Sequence, residues 1–128
     1  MKTWGTLFLV LLVAIPLAYS KDLELERKAG DFEVRARIDK NPPILGHNRL
    51  EIEIRDSGGR VTDANVMVNY YMPPMPRMAP MNYTTNAELK DGKYRVTMDL
   101  IMAGPWIIRV LITRDGKKAT AKFNIDAQ

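Results

Sequence analysis

The sequence predicts an all-β protein, an immunoglobulin-like antiparallel β-sandwich of about seven strands. Apolar and polar residues alternate along nearly the whole chain after residue 20, which is the pattern of half-buried strands. Short motifs rich in glycine, proline, aspartate and asparagine interrupt this alternation at regular intervals, and no stretch of that region shows a convincing helical period. Regularly punctuated short strands in a chain of this length favour a sandwich.

The N-terminal residues have the layout of a secretory signal. Lys2 precedes an apolar stretch, and the small residues Ala18 and Ser20 occupy positions −3 and −1 of a cleavage site. We expect a signal peptide over residues 1–20 and a periplasmic or extracytoplasmic location. The alternative is an uncleaved anchor, which would be the chain's attachment to a membrane. The apolar run from Trp4 to Ala18 is short of the roughly 20 residues that span a bilayer.

The remaining region, residues 21–128, has the length of one domain, and its composition limits what it can do. The chain has no cysteine, so we expect packing rather than disulfides to stabilise it, and thiolate metal sites are excluded. The net charge of the whole chain is +4 and is dispersed without a basic run, so nucleic acid is not an expected partner. A single histidine and the lack of a glycine-rich phosphate loop or clustered acid pair argue against an enzyme.

The expected strands are defined by their inward-facing residues. In chain order these are Phe32, Val34, Ala36 and Ile38; Leu50, Ile52 and Ile54; Val66, Val68 and Tyr70; Tyr94, Val96, Met98 and Leu100; Trp106, Ile108, Val110 and Ile112; Ala119, Ala121, Phe123 and Ile125. A weaker strand is expected from Tyr83 to Leu89. The charged residues between the apolar positions of the first two strands should form a solvated outer face; they are Glu33, Arg35, Arg37, Glu51, Glu53 and Arg55.

Turn motifs separate these strands, and each supplies residues suited to a positive or a preset φ. They are Asn41-Pro42-Pro43 to Gly46, Asp56-Ser57-Gly58-Gly59, Asp91-Gly92, Gly104-Pro105 and Asp115-Gly116. The segment Asp91–Tyr94 is typical of a tyrosine corner, in which the Tyr94 hydroxyl bonds back to nearby backbone. Trp106 is expected to pack between the two sheets.

One segment is not explained by core packing. Met72, Met75, Met78 and Met81 fall at every third position of a proline-rich run between two predicted strands. Proline favours the polyproline II helix, which has three residues per turn, so this period predicts four thioethers along one edge. Thioether sulfur is a soft ligand that suits Cu(I). The run therefore predicts a soft-metal site, with Cu(I) as the metal.

Spacing limits this prediction. Positions three apart in ideal polyproline II lie roughly 9 Å apart, whereas two ligands of one metal, each with a bond of about 2.3 Å, need closer sulfurs. A single site requires a bend, expected at Arg77-Met78-Ala79 where no proline stiffens the chain, or additional ligands. The candidates are His47, in the predicted turn region of Pro42 to Gly46, and Met102, near the Gly104 turn. Met98 alternates with core residues and is expected to be buried.

The same run has a second interpretation. Methionine is a flexible gap-filler that is common on adaptable hydrophobic surfaces. The alternative function is therefore an interaction module, in which the loop is a hydrophobic contact for another envelope protein and no metal is bound.

Four motifs in this order resemble the bacterial YtkA-like domain family, which is similar to FixH-like proteins: Gly59–Val66, the methionine-proline run, Asp91–Tyr94 and Met98–Trp106. The resemblance covers most of residues 21–128. It implies an exported sandwich domain without catalytic activity, in a family whose members often accompany copper-handling or heavy-metal efflux systems. The implied partner is a metal-efflux or oxidase-assembly protein of the envelope.

Site residues are carried over by position. Met72, Met75 and Met78 match the methionine-rich loop of the family, and Met102 matches the methionine before its Gly-x-Trp segment. Copper-binding relatives often place histidine near such methionines, and here no histidine is close in sequence.

Overall fold

The computed structural model describes residues 22–128, so the predicted signal peptide over residues 1–20 lies outside the described part. That part contains ten β-strands, all joined in antiparallel pairs. They are β1 Leu23–Ala29, β2 Phe32–Ile38, β3 Gly46–Asp56, β4 Gly59–Arg60, β5 Asn65–Tyr71, β6 Asn82–Asn86, β7 Glu88–Lys90, β8 Lys93–Leu100, β9 Gly104–Arg114 and β10 Lys117–Ala127. Among these residues there is no helix that is long and apolar enough to cross a membrane.

The strands form two sheets that pack face to face. The first sheet has the order β1-β2-β3-β8-β7, with β4 paired to β3, and the second has the order β10-β9-β5-β6. Strict alternation of buried and exposed residues in β2, β8 and β10 places one face of each strand in the core. The predicted all-β sandwich is confirmed.

The number of strands differs from the prediction of about seven, for local reasons. β1 was not predicted, because its residues are mostly charged and only Leu23, Leu25 and Ala29 are partly or fully buried at the edge of the first sheet. The predicted strand from Tyr83 to Leu89 is two strands in different sheets: β6 pairs with β5, and β7 pairs with β8. The chain crosses between them at Ala87, whose N–H donates to the Val66 carbonyl at 2.9 Å.

The two predicted aromatic anchors are present. Trp106 is fully buried between the sheets. The Tyr94 hydroxyl donates to the Val61 carbonyl at 3.2 Å and accepts from the Ala64 N–H at 3.1 Å. These partners lie about thirty residues earlier in sequence, between β4 and β5, so the corner joins the first sheet to a distant connection rather than to neighbouring backbone. Burial of the hydroxyl raises the pKa of Tyr94.

The predicted solvated face is confirmed on the outside of the first sheet. Its charged side chains pair across neighbouring strands, Arg35 with Glu26, Glu51 with Lys93 and Arg95, and Glu53 with Arg60. Glu53 also pairs with Arg55 within β3. Buried and exposed residues alternate along β2 and β3. The apolar residues between the charged ones occupy the core, so the charged side chains point outward. Ion pairs therefore involve most of the charged residues predicted for this face.

The longer connections meet at one end of the sandwich, which we call the loop end. In the first sheet, Gly46 at the start of β3 pairs with Leu100 at the end of β8. In the second sheet, Gly104 at the start of β9 pairs with Ala127, next to the C-terminal residue. Residues 101–103 join Leu100 to Gly104, so the two sheets share this end. The β5–β6 connection also lies there, because Tyr71 pairs with Ile107 of β9.

Candidate metal-binding loop

The methionine-rich run forms a hairpin connection, residues 72–81, which we call the methionine hairpin. At its base the Met72 N–H donates to the Met81 carbonyl at 3.2 Å. At its tip the Met78 N–H donates to the Met75 carbonyl at 3.3 Å, and Arg77 has a φ of 66°. Proline in the second position and positive φ in the third are the pattern of a type II turn. The run therefore reverses direction at Pro76-Arg77.

This geometry corrects the prediction of a single straight edge. The antiparallel pairing of β5 with β6 requires the chain to turn back between Tyr71 and Asn82, and Pro76 presets the first φ of the turn. The expected bend at Arg77-Met78-Ala79 is present, and it begins one residue earlier than predicted. As a result, the four methionines lie on the two arms of one hairpin.

A cavity of about 230 Å³ opens along the hairpin. Its lining residues share the loop and the first residue on either side; they are Tyr71, Met72, Pro73, Pro74, Met75, Met78, Ala79, Pro80, Met81 and Asn82. The four methionines of the proline-rich run are among them, whereas the other two predicted ligands, Met102 and His47, are not. The fold has thus brought to one cavity the thioether-bearing residues that the sequence placed at intervals of three.

The hairpin is also part of the hydrophobic packing. Met72 is only 7% exposed, and its ε-methyl carbon lies 3.2 Å from the position that a β-carbon on Gly104 would occupy. Met75, Met78 and Met81 are all partly exposed, and Met75 and Met81 pack against the core. The first methionine therefore anchors the loop in the core, and the other three are more accessible.

Met102 lies in the short connection between β8 and β9, beside the hairpin's contact with Gly104. Its carbonyl accepts a hydrogen bond from the Trp106 indole N–H at 2.9 Å, and its side chain is partly buried against the core. It does not line the cavity. Met98, by contrast, is fully buried in β8, as predicted.

His47 is the second residue of β3, beyond the predicted turn region, and it is exposed. It faces Asp99 across the β3–β8 pair, and its carbonyl accepts a hydrogen bond from the Lys40 ammonium at 2.9 Å. It shares the loop end with the methionine hairpin but does not line the cavity. Residues 22–128 contain no group of three or more His, Cys, Asp or Glu side chains placed to hold a metal.

An aromatic cluster beside the base of the hairpin was not predicted. The ring centroids of Tyr70 and Tyr83 are 5.4 Å apart, and those of Tyr70 and Trp106 are 6.0 Å apart. Tyr70 and Tyr83 are directly paired across β5 and β6, next to the two ends of the loop. The sequence offered one signal for this cluster, a tyrosine on each side of the loop. The contact between the two tyrosines depends on the register in which β5 pairs with β6.

Asn69 forms hydrogen bonds to the strand that follows the hairpin. Its side-chain amide donates to the Asn82 side chain, to the Tyr83 carbonyl at 3.1 Å and to the Thr84 hydroxyl at 3.1 Å. Asn69 is buried although it lies on the outer face of β5, and its side-chain oxygen has no partner within the described residues. These bonds fix the start of β6 and therefore the second arm of the hairpin.

Comparison with known proteins adds a family and a fold. The profile of the YtkA-like family matches residues 26–111. The structure is similar to the crystal structure of the PmoD soluble domain from Methylocystis sp. ATCC 49242 (Rockwell), with a TM-score of 0.60 at 14% sequence identity, covering 81% of this chain and 97% of that chain. At this identity the likeness concerns the fold alone. No curated protein matches the chain.

Proposed function

Since this chain belongs to the YtkA-like family, we propose that it is an exported, non-catalytic domain that binds Cu(I) through the methionine hairpin and serves copper or heavy-metal handling. The observation that carries the proposal is the reversal at Pro76-Arg77, which gathers Met72, Met75, Met78 and Met81 around one cavity. A straight polyproline run could offer only widely separated sulfurs. The hairpin removes that objection to a single site.

The donor set favours a soft, monovalent metal. The candidate ligands are thioethers, which carry no charge and prefer Cu(I) over hard cations such as Mg²⁺ or Ca²⁺. A thioether binds without losing a proton, so affinity should not depend on pH near neutrality. Met102 and His47 lie at the same end of the fold and would join only if the metal drew the loops together.

Accessibility along the hairpin supports delivery rather than storage. Met72 is held against Gly104 in the core, whereas Met75, Met78 and Met81 are each partly exposed. A metal held toward the tip stays within reach of a second protein. The partner class is an envelope protein of metal efflux or oxidase assembly, met in the periplasm or an equivalent extracytoplasmic space.

The test is a Cu(I) titration of the purified protein under reducing conditions against a chromophoric chelator. The informative variant is Met75→Leu with Met78→Leu, because leucine keeps a similar volume and leaves the packing nearly unchanged. We expect the wild-type protein to compete for Cu(I) and the double variant to lose that competition.

Met67→Leu is the matched control. Met67 is a 36% exposed methionine on the outer face of β5, outside the hairpin, so its replacement should leave the titration unchanged. Equal loss in the control and the hairpin variant would mean that surface methionines bind the metal nonspecifically. Full retention in the hairpin variant would exclude the loop as the site.

A second candidate function follows from the packing of the same residues. Met72, Met75, Met81 and Met102 all contact the core cluster, as gap-filling methionines do. In this alternative the hairpin is an adaptable hydrophobic contact for an envelope protein, without metal. The leucine variant would then keep partner binding, since the contact depends on volume and not on sulfur.

A further inference from the structure

β6 differs from the other outermost strands of the two sheets because it carries no charged side chain. Within residues 22–128 the outermost strands are β1 and β7 in the first sheet and β10 and β6 in the second. Charges or proline on such strands prevent pairing with another chain. β6 has the sequence Asn-Tyr-Thr-Thr-Asn, with neither. The other three strands do carry charges: Glu24, Glu26, Arg27 and Lys28 in β1, Glu88 and Lys90 in β7, and Lys117, Lys118, Lys122 and Asp126 in β10.

The hydrogen bonds at the two ends of the β5–β6 ladder determine which backbone groups of β6 are free. Just before the ladder, the Met72 N–H donates to the Met81 carbonyl. Just after it, the Ala87 N–H donates to the Val66 carbonyl. Both pairs continue the register of the ladder without a shift, so both are hydrogen-bonded pairs of that register. Hydrogen-bonded and non-hydrogen-bonded pairs alternate along an antiparallel ladder.

Three residues of β6 direct their backbone groups away from β5. Alternation from the two end pairs assigns Tyr83 and Thr85 to hydrogen-bonded pairs with β5. Asn82, Thr84 and Asn86 therefore point their N–H and C=O groups toward the open edge. Within the described residues these groups bond to no other part of the chain. β6 thus offers alternating donors and acceptors to a further strand.

Apolar side chains at this edge are also uncovered. Of the six large hydrophobic side chains that are exposed in residues 22–128, three lie in or beside β6: Met67 at 36%, Tyr83 at 38% and Leu89 at 48%. Tyr83 is opposite Tyr70, and Leu89 is opposite Tyr94 in β8. Both of these partners are buried, so Tyr83 and Leu89 lie on the inner faces of their sheets. They stay exposed because no strand lies beyond them.

A second copy of β6 fits this edge. Antiparallel pairing that places Thr84 opposite Thr84 also places Asn82 opposite Asn86, and it joins every free N–H to a free carbonyl. On the inner face, the same pairing places Tyr83 opposite Thr85. All of these side chains are neutral, and Thr–Thr and aromatic–β-branched pairs across strands are favourable. β6 is therefore complementary to itself.

We infer that two copies of the protein form a dimer through β6, paired antiparallel about a two-fold axis at Thr84. The two four-stranded sheets then join into one continuous sheet. Because the paired strands run in opposite directions, the two methionine hairpins lie at opposite ends of the joined sheet. The interface uses none of residues 72–81, so the dimer stands or falls independently of the proposed function.

The test is sedimentation equilibrium of the purified protein at a series of concentrations. Thr84→Lys and Thr84→Glu each place like charges opposite each other at the two-fold axis, which opposes pairing. We expect the wild-type protein to dimerise and each variant alone to be monomeric. An equimolar mixture of the two variants should regain the dimer, because lysine then faces glutamate. Both variants lose the same hydrogen bond from Asn69 to the Thr84 hydroxyl, so recovery in the mixture shows that β6 is intact.

Thr120→Lys is the matched control. Thr120 is exposed on β10, the opposite edge of the same sheet, so its replacement should leave dimerisation unchanged. Amide exchange supplies a second measurement. The exchange of the Asn82, Thr84 and Asn86 amides should slow as the concentration of wild-type protein rises, because the second copy covers these N–H groups.

Three outcomes would overturn the inference. The first is a wild-type protein that stays monomeric at every concentration. The second is a dimer that both Thr84 variants leave intact or that Thr120→Lys disrupts equally, because the interface would then not be β6. The third is a mixture of the Thr84 variants that stays monomeric, since the loss of association would then come from damage to the strand and not from charge repulsion.

Discussion

The ε-methyl carbon of Met72 lies 3.2 Å from the position that a β-carbon on Gly104 would occupy. Gly104 has a φ of 124°, a conformation that side-chain-bearing residues rarely adopt. A glycine at the start of β9 therefore allows the first methionine of the hairpin to pack against the second sheet. The turn motif Gly104-Pro105 predicted the glycine's conformation, and only the structure reveals its contact.

Gly104→Ala should destabilise the domain by about 1–3 kcal/mol, because alanine strains the backbone at this φ. It should also displace the Met72 methyl group. The free energy of unfolding is measured by chemical denaturation, and the methyl position by NMR. Gly46→Ala is the control, since Gly46 has a φ of 97° and nothing within 4 Å of its would-be β-carbon. We expect Gly46→Ala to lower the free energy of unfolding without moving the Met72 methyl resonance.

Tyr94→Phe should lower the free energy of unfolding by about 1–3 kcal/mol, because it leaves the Val61 carbonyl and the Ala64 N–H without their buried partner. Tyr83→Phe serves for comparison, since Tyr83 is 38% exposed. Denaturation curves of both variants make the test. Equally small losses of unfolding free energy in the two variants would show that the Tyr94 hydroxyl does not stabilise the β4–β5 connection.

Asn48→Ala should cost a similar amount, about 1–3 kcal/mol, because it removes the buried bonds to the Ile44–Gly46 backbone. The specific sign is faster hydrogen exchange of the Ile44 amide, which donates to the Asn48 side chain. Asn124→Ala, at an exposed position of β10, should leave that exchange rate unaltered. An unchanged rate in the Asn48 variant would show that these hydrogen bonds do not hold the Ile44–Gly46 backbone in place.

Acid should weaken the domain partly through Glu53. Burial pushes the pKa of Glu53 upward, but hydrogen bonds and charges from Arg55 and Arg60 outweigh it, and the net effect is a lowered pKa. A carboxyl whose folded pKa is depressed adds stability above its unfolded pKa of about 4.3. That stability is lost as the pH falls through the folded value.

Glu53→Gln should accordingly make the free energy of unfolding less dependent on pH below about pH 4. Denaturation at a series of pH values measures this slope. Some slope should remain, because hydrogen bonds from Arg49 and Lys40 oppose the effect of burial and also lower the pKa of Asp39. A variant slope equal to that of the wild-type protein would show that the Glu53 pairs are screened by solvent.

Much of the fold followed from a single physical rule. Where a strand has one buried face, the period of two fixes which residues point inward, and β2, β8 and β10 conform to it. The rule gave no signal for β1, an edge strand in which three consecutive charged residues, 26–28, are exposed and interrupt the alternation. It also could not divide the run from Tyr83 to Leu89, because the switch between sheets at Ala87 is a tertiary event.

The candidate site was predictable in composition but not in shape. Proline content and a period of three identified Met72 to Met81 as a distinctive loop, and the proline-free stretch that starts at Arg77 located its bend to within one residue. The antiparallel register of β5 with β6 decides that the run becomes a hairpin, and a local sequence pattern does not contain that register. The aromatic cluster and the contact of Met72 with Gly104 depend on the same register.

The most direct test of the central claim is methionine-methyl NMR during titration with Ag(I), a redox-stable analogue of Cu(I). The account predicts saturable shifts of the methyl groups of Met72, Met75, Met78 and Met81, with little change at exposed Met67 or buried Met98. Shifts confined to Met67, or no saturable shift at any methionine of the hairpin, would contradict it.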